Sequence, residues 1–270
     1  MNVSTQEIEN IVREASKIIK ENKFEVSYKT GVEDIVTSSD LAIQQYLKHH
    51  LAKLIPDSGF LCEEDNIHDN NGKEYVWIID PIDGTMNYSR GVPEYCISAA
   101  LMHKGDITMG VVYNPAKDQM FSAVKRNGAY LNGKPIHVSN RTYQEGILCT
   151  AMSLYKKKFA GTCSDIIYDA YIRCNDIRRI GSCALELCYI AMGFYELYFE
   201  YRVMPWDYAA AYLILKEAGG VLTGIGGEQL THKLPALLIG ANNIENHNIL
   251  SDIVSKHINE KGCCYEWQEW

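Results

Sequence analysis

The sequence predicts an α+β first part and an α/β second part, on three observations. Two amphipathic helical stretches open the chain, short strands with tight turns fill residues 95–138, and strands alternate with helices from Glu145 onward. A soft boundary near residue 140 divides an N-terminal α+β lobe, 1–140, from a C-terminal α/β lobe, 141–270. The chain has 270 residues, 47% of them hydrophobic, enough to bury a large core. It shows no internal repeat, and no linker long enough to separate independent domains.

The first helix is expected over 5–20, where Ile8, Ile11, Val12, Ala15, Ile18 and Ile19 fall on one stripe and Ser4 or Thr5 can cap the start. A second is expected over 40–54, through Leu41, Ile43, Tyr46, Leu47 and Leu51, and Pro56 stops it. Short strands follow at 59–62 and 75–79. Between 95 and 138, apolar runs are broken by Lys104-Gly105, Asn114-Pro115, Asn127-Gly128 and Asn132-Gly133, the punctuation of an antiparallel meander. In the second lobe, strands are expected near 147–151, 195–199 and 237–240, with helices near 182–192, 207–218 and 244–258.

Acidic residues number 34 against 26 basic ones, a formal charge of −8, and no block of Lys and Arg occurs. A nucleic-acid partner is therefore not expected. The N-terminus has neither the basic start nor the apolar stretch of a secretory signal, and the longest apolar runs fall short of the ~20 residues that span a bilayer. The expectation is a cytoplasmic protein without a membrane partner. Nine cysteines, at 62, 96, 149, 163, 174, 183, 188, 263 and 264, form no C-x-x-C pair and read as reduced core thiols.

The chemistry concentrates in "WIIDPIDGTMNY", residues 77–88, where an apolar strand surfaces into two aspartates. Pro81 removes an N–H and turns the chain, and Asp83 can cap a helix starting near Gly84, whose missing side chain admits a ligand to the backbone. Two carboxylates and an intervening carbonyl suit the all-oxygen ligation of Mg²⁺, whereas zinc would recruit His and Cys, and none of the eight histidines sits in these motifs. A turn with a helix cap is the competing reading. Glu63 and Glu64 end another apolar strand, where adjacent like charges are costly without a cation; alone they read as a solvated loop. Asp207 before "YAAAYLIL" and Asp40 in "TSSDLA" each read in isolation as helix N-caps. Together, these carboxylate-bearing segments at the ends of regular elements fit a multi-metal centre better than unrelated caps.

Asp40, Glu63-Glu64, Asp80-Pro81-Ile82-Asp83-Gly84-Thr85 and Trp206-Asp207-Tyr208-Ala209-Ala210, in this order over nearly the whole chain, resemble the inositol monophosphatase family of lithium-sensitive, Mg²⁺-dependent phosphatases. The resemblance implies a layered αβαβα sandwich of the sugar phosphatase type and a homodimer. It implies that Glu63, Asp80 and the Ile82 carbonyl bind one Mg²⁺, that Asp80, Asp83 and Asp207 bind a second, and that a third, weaker ion lies beside Glu63. Thr85, paired with Asp40 and assisted by Glu63, would orient and deprotonate water, and backbone N–H groups around Gly84 and Thr85 would hold the phosphate. Gly181, Ser182, Cys183 and Glu200 match positions that contact the sugar or polyol, with Asp83 and Asp207 beside them. Cys62 and Cys183 depart from the family's usual small residue and alanine without removing a ligand.

The implied reaction is hydrolysis of inositol monophosphate by direct attack of water. Relatives with the same metal core act on fructose bisphosphate or adenosine bisphosphate, and "DPIDGTMNY" with Glu200 looks more like the inositol branch. No G-x-S-x-G elbow supports a covalent route. A catalytically silent metal-binding scaffold is the reading from another class. The aromatic C-terminal "CCYEWQEW" reads as a packed or frayed tail.

Overall fold

The structure, a computed structural model, describes residues 3–21, 24–31, 34–65, 72–152 and 157–260. The C-terminal aromatic tail and Cys263 and Cys264 lie outside the described residues. Helix α1 (Thr5–Ala15) starts at a capping box in which Ser4 Oγ accepts from the Glu7 N–H and Glu7 Oε2 accepts from the Ser4 N–H. The single helix expected over 5–20 is broken after Ala15: the Ser16 hydroxyl donates to the Arg13 carbonyl, and a short α2 (Lys17–Glu21) follows. A hairpin of β1 (Val26–Gly31) and β2 (Asp34–Thr37) leads into α3 (Ser38–Leu54).

Strand β3 (Gly59–Cys62) pairs parallel to β4 (Tyr75–Asp83), which continues well beyond its expected end at Ile79. After the single turn of α4 (Thr85–Ser89), the chain runs through β5 (Cys96–His103), β6 (Asp106–Asn114), β7 (Gln119–Val124), β8 (Ala129–Leu131) and β9 (Lys134–Ile136). These form the expected antiparallel meander and complete a seven-stranded sheet in the order β3-β4-β5-β6-β7-β8-β9.

The remainder runs β10 (Ile147–Ala151), α5 (Ala160–Tyr171), β11 (Asp176–Arg178), α6 (Cys183–Ala191), β12 (Leu197–Val203), α7 (Pro205–Glu217), β13 (Val221–Thr223), β14 (Ala236–Ala241) and α8 (Ile244–Glu260). Its five strands order as β11-β10-β12-β14-β13, with β10 parallel to both neighbours and β14 antiparallel to both of its own. The second sheet is thus mixed. Strands β11 and β13 have three residues each, too few for a period of two to register in the sequence.

Side-chain alternation turns these elements into layers. On β4, Trp77 and Ile79 join Ile8, Val12, Ile43, Leu47 and Leu51 of α1 and α3, whereas Val76 and Ile78 join Leu185, Leu213 and their neighbours on α6 and α7. The second sheet divides likewise: Cys149, Tyr198 and Leu238 face α6 and α7, and Leu148, Phe199 and Ile239 face Ile166 of α5 and Leu250 and Val254 of α8. The result is an αβαβα sandwich. Helix α7 lies between the two sheets, which explains its burial on all sides, with Ala209, Ala210 and Ala211 inaccessible. Gly110 on β6 permits the close approach, because a Cβ there would stand 2.6 Å from the Ala210 carbonyl oxygen. The described cysteines are free, and no described helix is long and apolar enough to cross a membrane.

Candidate active site

The end of β4 explains how two aspartates three positions apart reach one cavity. In a regular strand, Asp80 and Asp83 would point to opposite faces. Asp80 pairs with Ser98 and Asp83 with Cys96, so three steps on β4 oppose two on β5. This bulge carries one extra residue and returns both carboxylates to the same side. Pro81, which has no N–H for a ladder, falls inside it. Gly84 then turns the chain at φ +92°, and a Cβ there would stand 2.9 Å from the Glu94 carbonyl oxygen.

Asp83 was expected to cap the helix after Gly84, but its Oδ2 accepts from Ser182 Oγ at 2.6 Å and from the Ala184 N–H at 2.7 Å. It therefore serves the start of α6, across the pocket. Ser182 is the N-cap of α6, so its hydroxyl is committed to Asp83 while its oxygen accepts from the Leu185 N–H. Asp40 and Asp207 are likewise not N-caps. Each stands three residues inside, with Asp40 Oδ2 accepting from the Thr37 N–H at 2.9 Å and from the Thr37 hydroxyl, and Asp207 Oδ2 accepting from the Met204 N–H at 2.9 Å. Facing back toward the cap leaves the second oxygen of each carboxylate available. For Asp40 that oxygen lies 3.3 Å from Thr85 Oγ1, which also contacts the Ile82 carbonyl at 2.9 Å.

One cavity of about 330 Å³ is lined by Glu63, Asp80, Ile82, Asp83, Gly84, Thr85, Gly181, Ser182, Cys183, Glu200 and Asp207. Every sequence-predicted site residue except Asp40 thus lines it, and Asp40 sits behind Thr85. Burial raises Asp80 well above the ordinary carboxylate range, reinforced by the charges of Glu63, Asp83 and Asp207. Asp207 is raised by burial and then by Asp83 and Glu63. Burial also brings Asp83 and Asp40 to about 6 and Glu200 to about 7, opposed at Glu200 by a 2.6 Å hydrogen bond from the Tyr198 hydroxyl. So many buried carboxylates cannot all ionise without a cation.

Lys29, which the sequence reading missed, answers part of that demand. Its ammonium lies 3.0 Å from Glu63 Oε1 and 2.6 Å from Glu64 Oε1, so the Glu-Glu pair is bridged rather than solvated. A lysine over thirty positions upstream in a two-stranded hairpin carries no local signal. Glu186 was missed too: it is buried, and its Oε1 accepts from the Ile180 and Gly181 N–H groups, fixing the turn before α6. Asn87 ties that turn to the α4 loop by donating to the Ile180 and Glu94 carbonyls.

Among the described residues, no three His, Cys, Asp or Glu side chains are drawn to the spacing of a closed metal shell. The donors nevertheless suit a hard divalent cation: they are all oxygen, they approach from separate elements, and the buried Oδ1 of Asp80 has no hydrogen-bond partner.

Comparison with known proteins places this arrangement. The chain is 34% identical to inositol monophosphatase 3 of Solanum lycopersicum over 96% of its length and 99% of the relative's. It is 35% identical to the Nus factor SuhB of Salmonella typhimurium, over 80% of this chain and 82% of that one. The Thermotoga maritima IMPase structure superposes with a TM-score of 0.83 at 31% identity, covering 95% and 98% of the two chains. An IMPase/NADP phosphatase solved with Mg²⁺ and phosphate superposes at 0.79 with 25% identity, over 92% and 91%. With residues 2–258 also matching the family as a whole, the chain belongs to the inositol monophosphatase family.

Proposed function

We propose that the chain is a Mg²⁺-dependent phosphomonoesterase that hydrolyses inositol monophosphate or a similar small phosphorylated polyol. The observation that carries this reading is the β4 bulge, which turns Asp80 and Asp83 into one cavity with Glu63 and Asp207, beside a threonine hydroxyl facing Asp40. Glu63, Asp80 and the Ile82 carbonyl would hold one Mg²⁺, Asp80, Asp83 and Asp207 a second, and Glu63 a weaker third. When bound, these ions would supply Lewis acidity, activating water and offsetting charge on phosphate and leaving oxygen. The Ile82 carbonyl can accept from Thr85 and still offer a lone pair.

Within the protein, Thr85 Oγ1 orients the attacking water, and Asp40, at about 6, receives the proton relayed through that hydroxyl. Backbone N–H groups at Gly84 and Thr85 hold the phosphate. Cys183 and Glu200 border the polyol, while Gly181 and Ser182 shape that wall through Glu186 and Asp83. A homodimer is part of the proposal: Tyr168, Tyr171 and Ile172, spaced to share one face at the end of α5, are exposed.

Phosphate release from inositol monophosphate, measured with Mg²⁺ and with chelator, tests the function. Turnover that needs Mg²⁺ and falls with Li⁺ is expected, and turnover indifferent to chelation counts against it. A non-catalytic role has one supporting observation, the likeness to proteins named Nus factors. Failure to hydrolyse any phosphomonoester in Mg²⁺ would favour it.

A further inference from the structure

Glu200 reaches the cavity from the middle of the second sheet, and its carboxylate is held by a neighbour on its own strand. Strand β12 puts Tyr198 and Glu200 two residues apart, on one face. The Tyr198 hydroxyl donates to Glu200 Oε2 at 2.6 Å. Glu200 lines the cavity, whereas Tyr198 is fully buried behind it, its hydroxyl adjoining the thiol of the cavity-lining Cys183. Both neighbouring strands make room for the ring. Tyr198 stands opposite Cys149 on β10 and Gly240 on β14, and a Cβ on Gly240 would lie 3.2 Å from Tyr198 Cβ and 3.0 Å from Leu222 Cδ1. In this apolar layer against α6 and α7 a phenylalanine would fill the same slot without taking a hydroxyl out of water, so packing alone does not account for the polar atom.

A glutamate free to rotate at a cavity wall loses rotamer freedom when a ligand fixes it, which weakens binding. With Oε2 bonded to Tyr198, that freedom is already lost, and Oε1 is the oxygen left for a substrate hydroxyl. The same bond opposes burial, which favours the protonated acid, and so preserves an acceptor rather than a donor. We propose that Tyr198 is a positioning residue that fixes Glu200 as an oriented acceptor for a polyol hydroxyl, so that the site selects phosphomonoesters of polyols over those whose alcohol portion bears no hydroxyl. This rests on the phosphomonoesterase reading and deepens its specificity.

The test compares inositol 1-phosphate with phenyl phosphate, whose alcohol portion carries no hydroxyl. In Tyr198→Phe the ratio of kcat/KM for the two should fall by about tenfold, the scale of one hydrogen bond to a charged group, chiefly through a higher KM for inositol 1-phosphate. Glu200→Gln should lower the same ratio. Adding Tyr198→Phe to Glu200→Gln should then change it by less than about twofold, because the tyrosine acts through the carboxylate. Calorimetric binding of both compounds with Ca²⁺ in place of Mg²⁺ reads the same preference without turnover. An unchanged ratio in Tyr198→Phe, equal losses on both compounds, or losses that add in the double variant would overturn the positioning role. A Tyr198→Phe protein that no longer folds would make the hydroxyl structural and overturn it too. Absent turnover, with a binding preference for inositol 1-phosphate that Tyr198→Phe removes, would instead count against the hydrolytic reading alone.

Discussion

Asp80 is buried among three other acids, with one oxygen lacking any partner. Removing its charge should therefore divide function from stability. Asp80→Asn and Asp207→Asn are expected to lower kcat on the order of a thousandfold, the several kcal/mol a metal centre supplies. Thr85→Ala should lower kcat by about a hundredfold while raising KM less. Steady-state kinetics check all three, and an unchanged kcat in any of them contradicts the assigned role. His232 makes a separate case away from the cavity: it is buried, its Nδ1 has no partner, and burial depresses its pKa to about 4. An imidazole held neutral in the fold but free to charge when unfolded contributes stability above its unfolded pKa and loses it as pH falls toward the folded one. Between pH 7 and pH 5 this amounts to about 2 kcal/mol. Denaturant melts should show that loss shrinking in His232→Gln. At this scale the sequence was most legible for acids in the signature segments. Lys29 was not, because its carboxylate partners lie over thirty positions away, nor was Glu186, whose partners are backbone N–H groups five and six residues earlier that leave no side-chain signal.

Among the elements, the β4 bulge and the seating of α7 decide whether those residues meet. The acids at 80 and 83 were plain in the sequence, but the bulge was not, since it exists only in the pairing of Asp80 with Ser98 and Asp83 with Cys96. The same limit applied to the helix starts. Asp40 and Asp207 sit near helix beginnings as expected, yet each is turned back onto the cap from within the first turn, and Asp83 caps a helix remote in sequence. Local preference for Asp at a helix start does not distinguish these positions. Seating of α7 depends on Gly110, so Gly110→Ala should push the Ala210 carbonyl away and shift Asp207, three residues earlier on that helix. A loss of about 1–3 kcal/mol, the usual cost of overpacking, with a fall in activity larger than a surface substitution causes, is expected. Thermal melting with parallel kinetics measures both, and a fully active, fully stable variant would show that the contact does not position the site.

Over the whole molecule, the meander was readable because its turns are marked by Gly, Asn and Pro, and β10, β12 and β14 because their apolar runs span five residues or more. The mixed direction of the second sheet was not, since β14 reverses against β12 without a sequence signature. The five layers bring acids from both sheets and from α7 into one cavity, so the fold carries repulsion that a bound divalent cation would relieve. Mg²⁺ at a hundredfold excess over its Kd should stabilise by about 2.7 kcal/mol, roughly a 5–10 °C rise in Tm. In Asp80→Asn the rise should largely vanish while the metal-free Tm increases. Sedimentation should show a dimer that Tyr171→Asp weakens. The most direct measurement is anomalous diffraction from crystals soaked in Mn²⁺ as a stand-in for Mg²⁺. Peaks between Asp80 and Glu63, and among Asp80, Asp83 and Asp207, are predicted; Mn²⁺ bound only elsewhere, or absent from this cavity at saturating concentration, would contradict the metal centre.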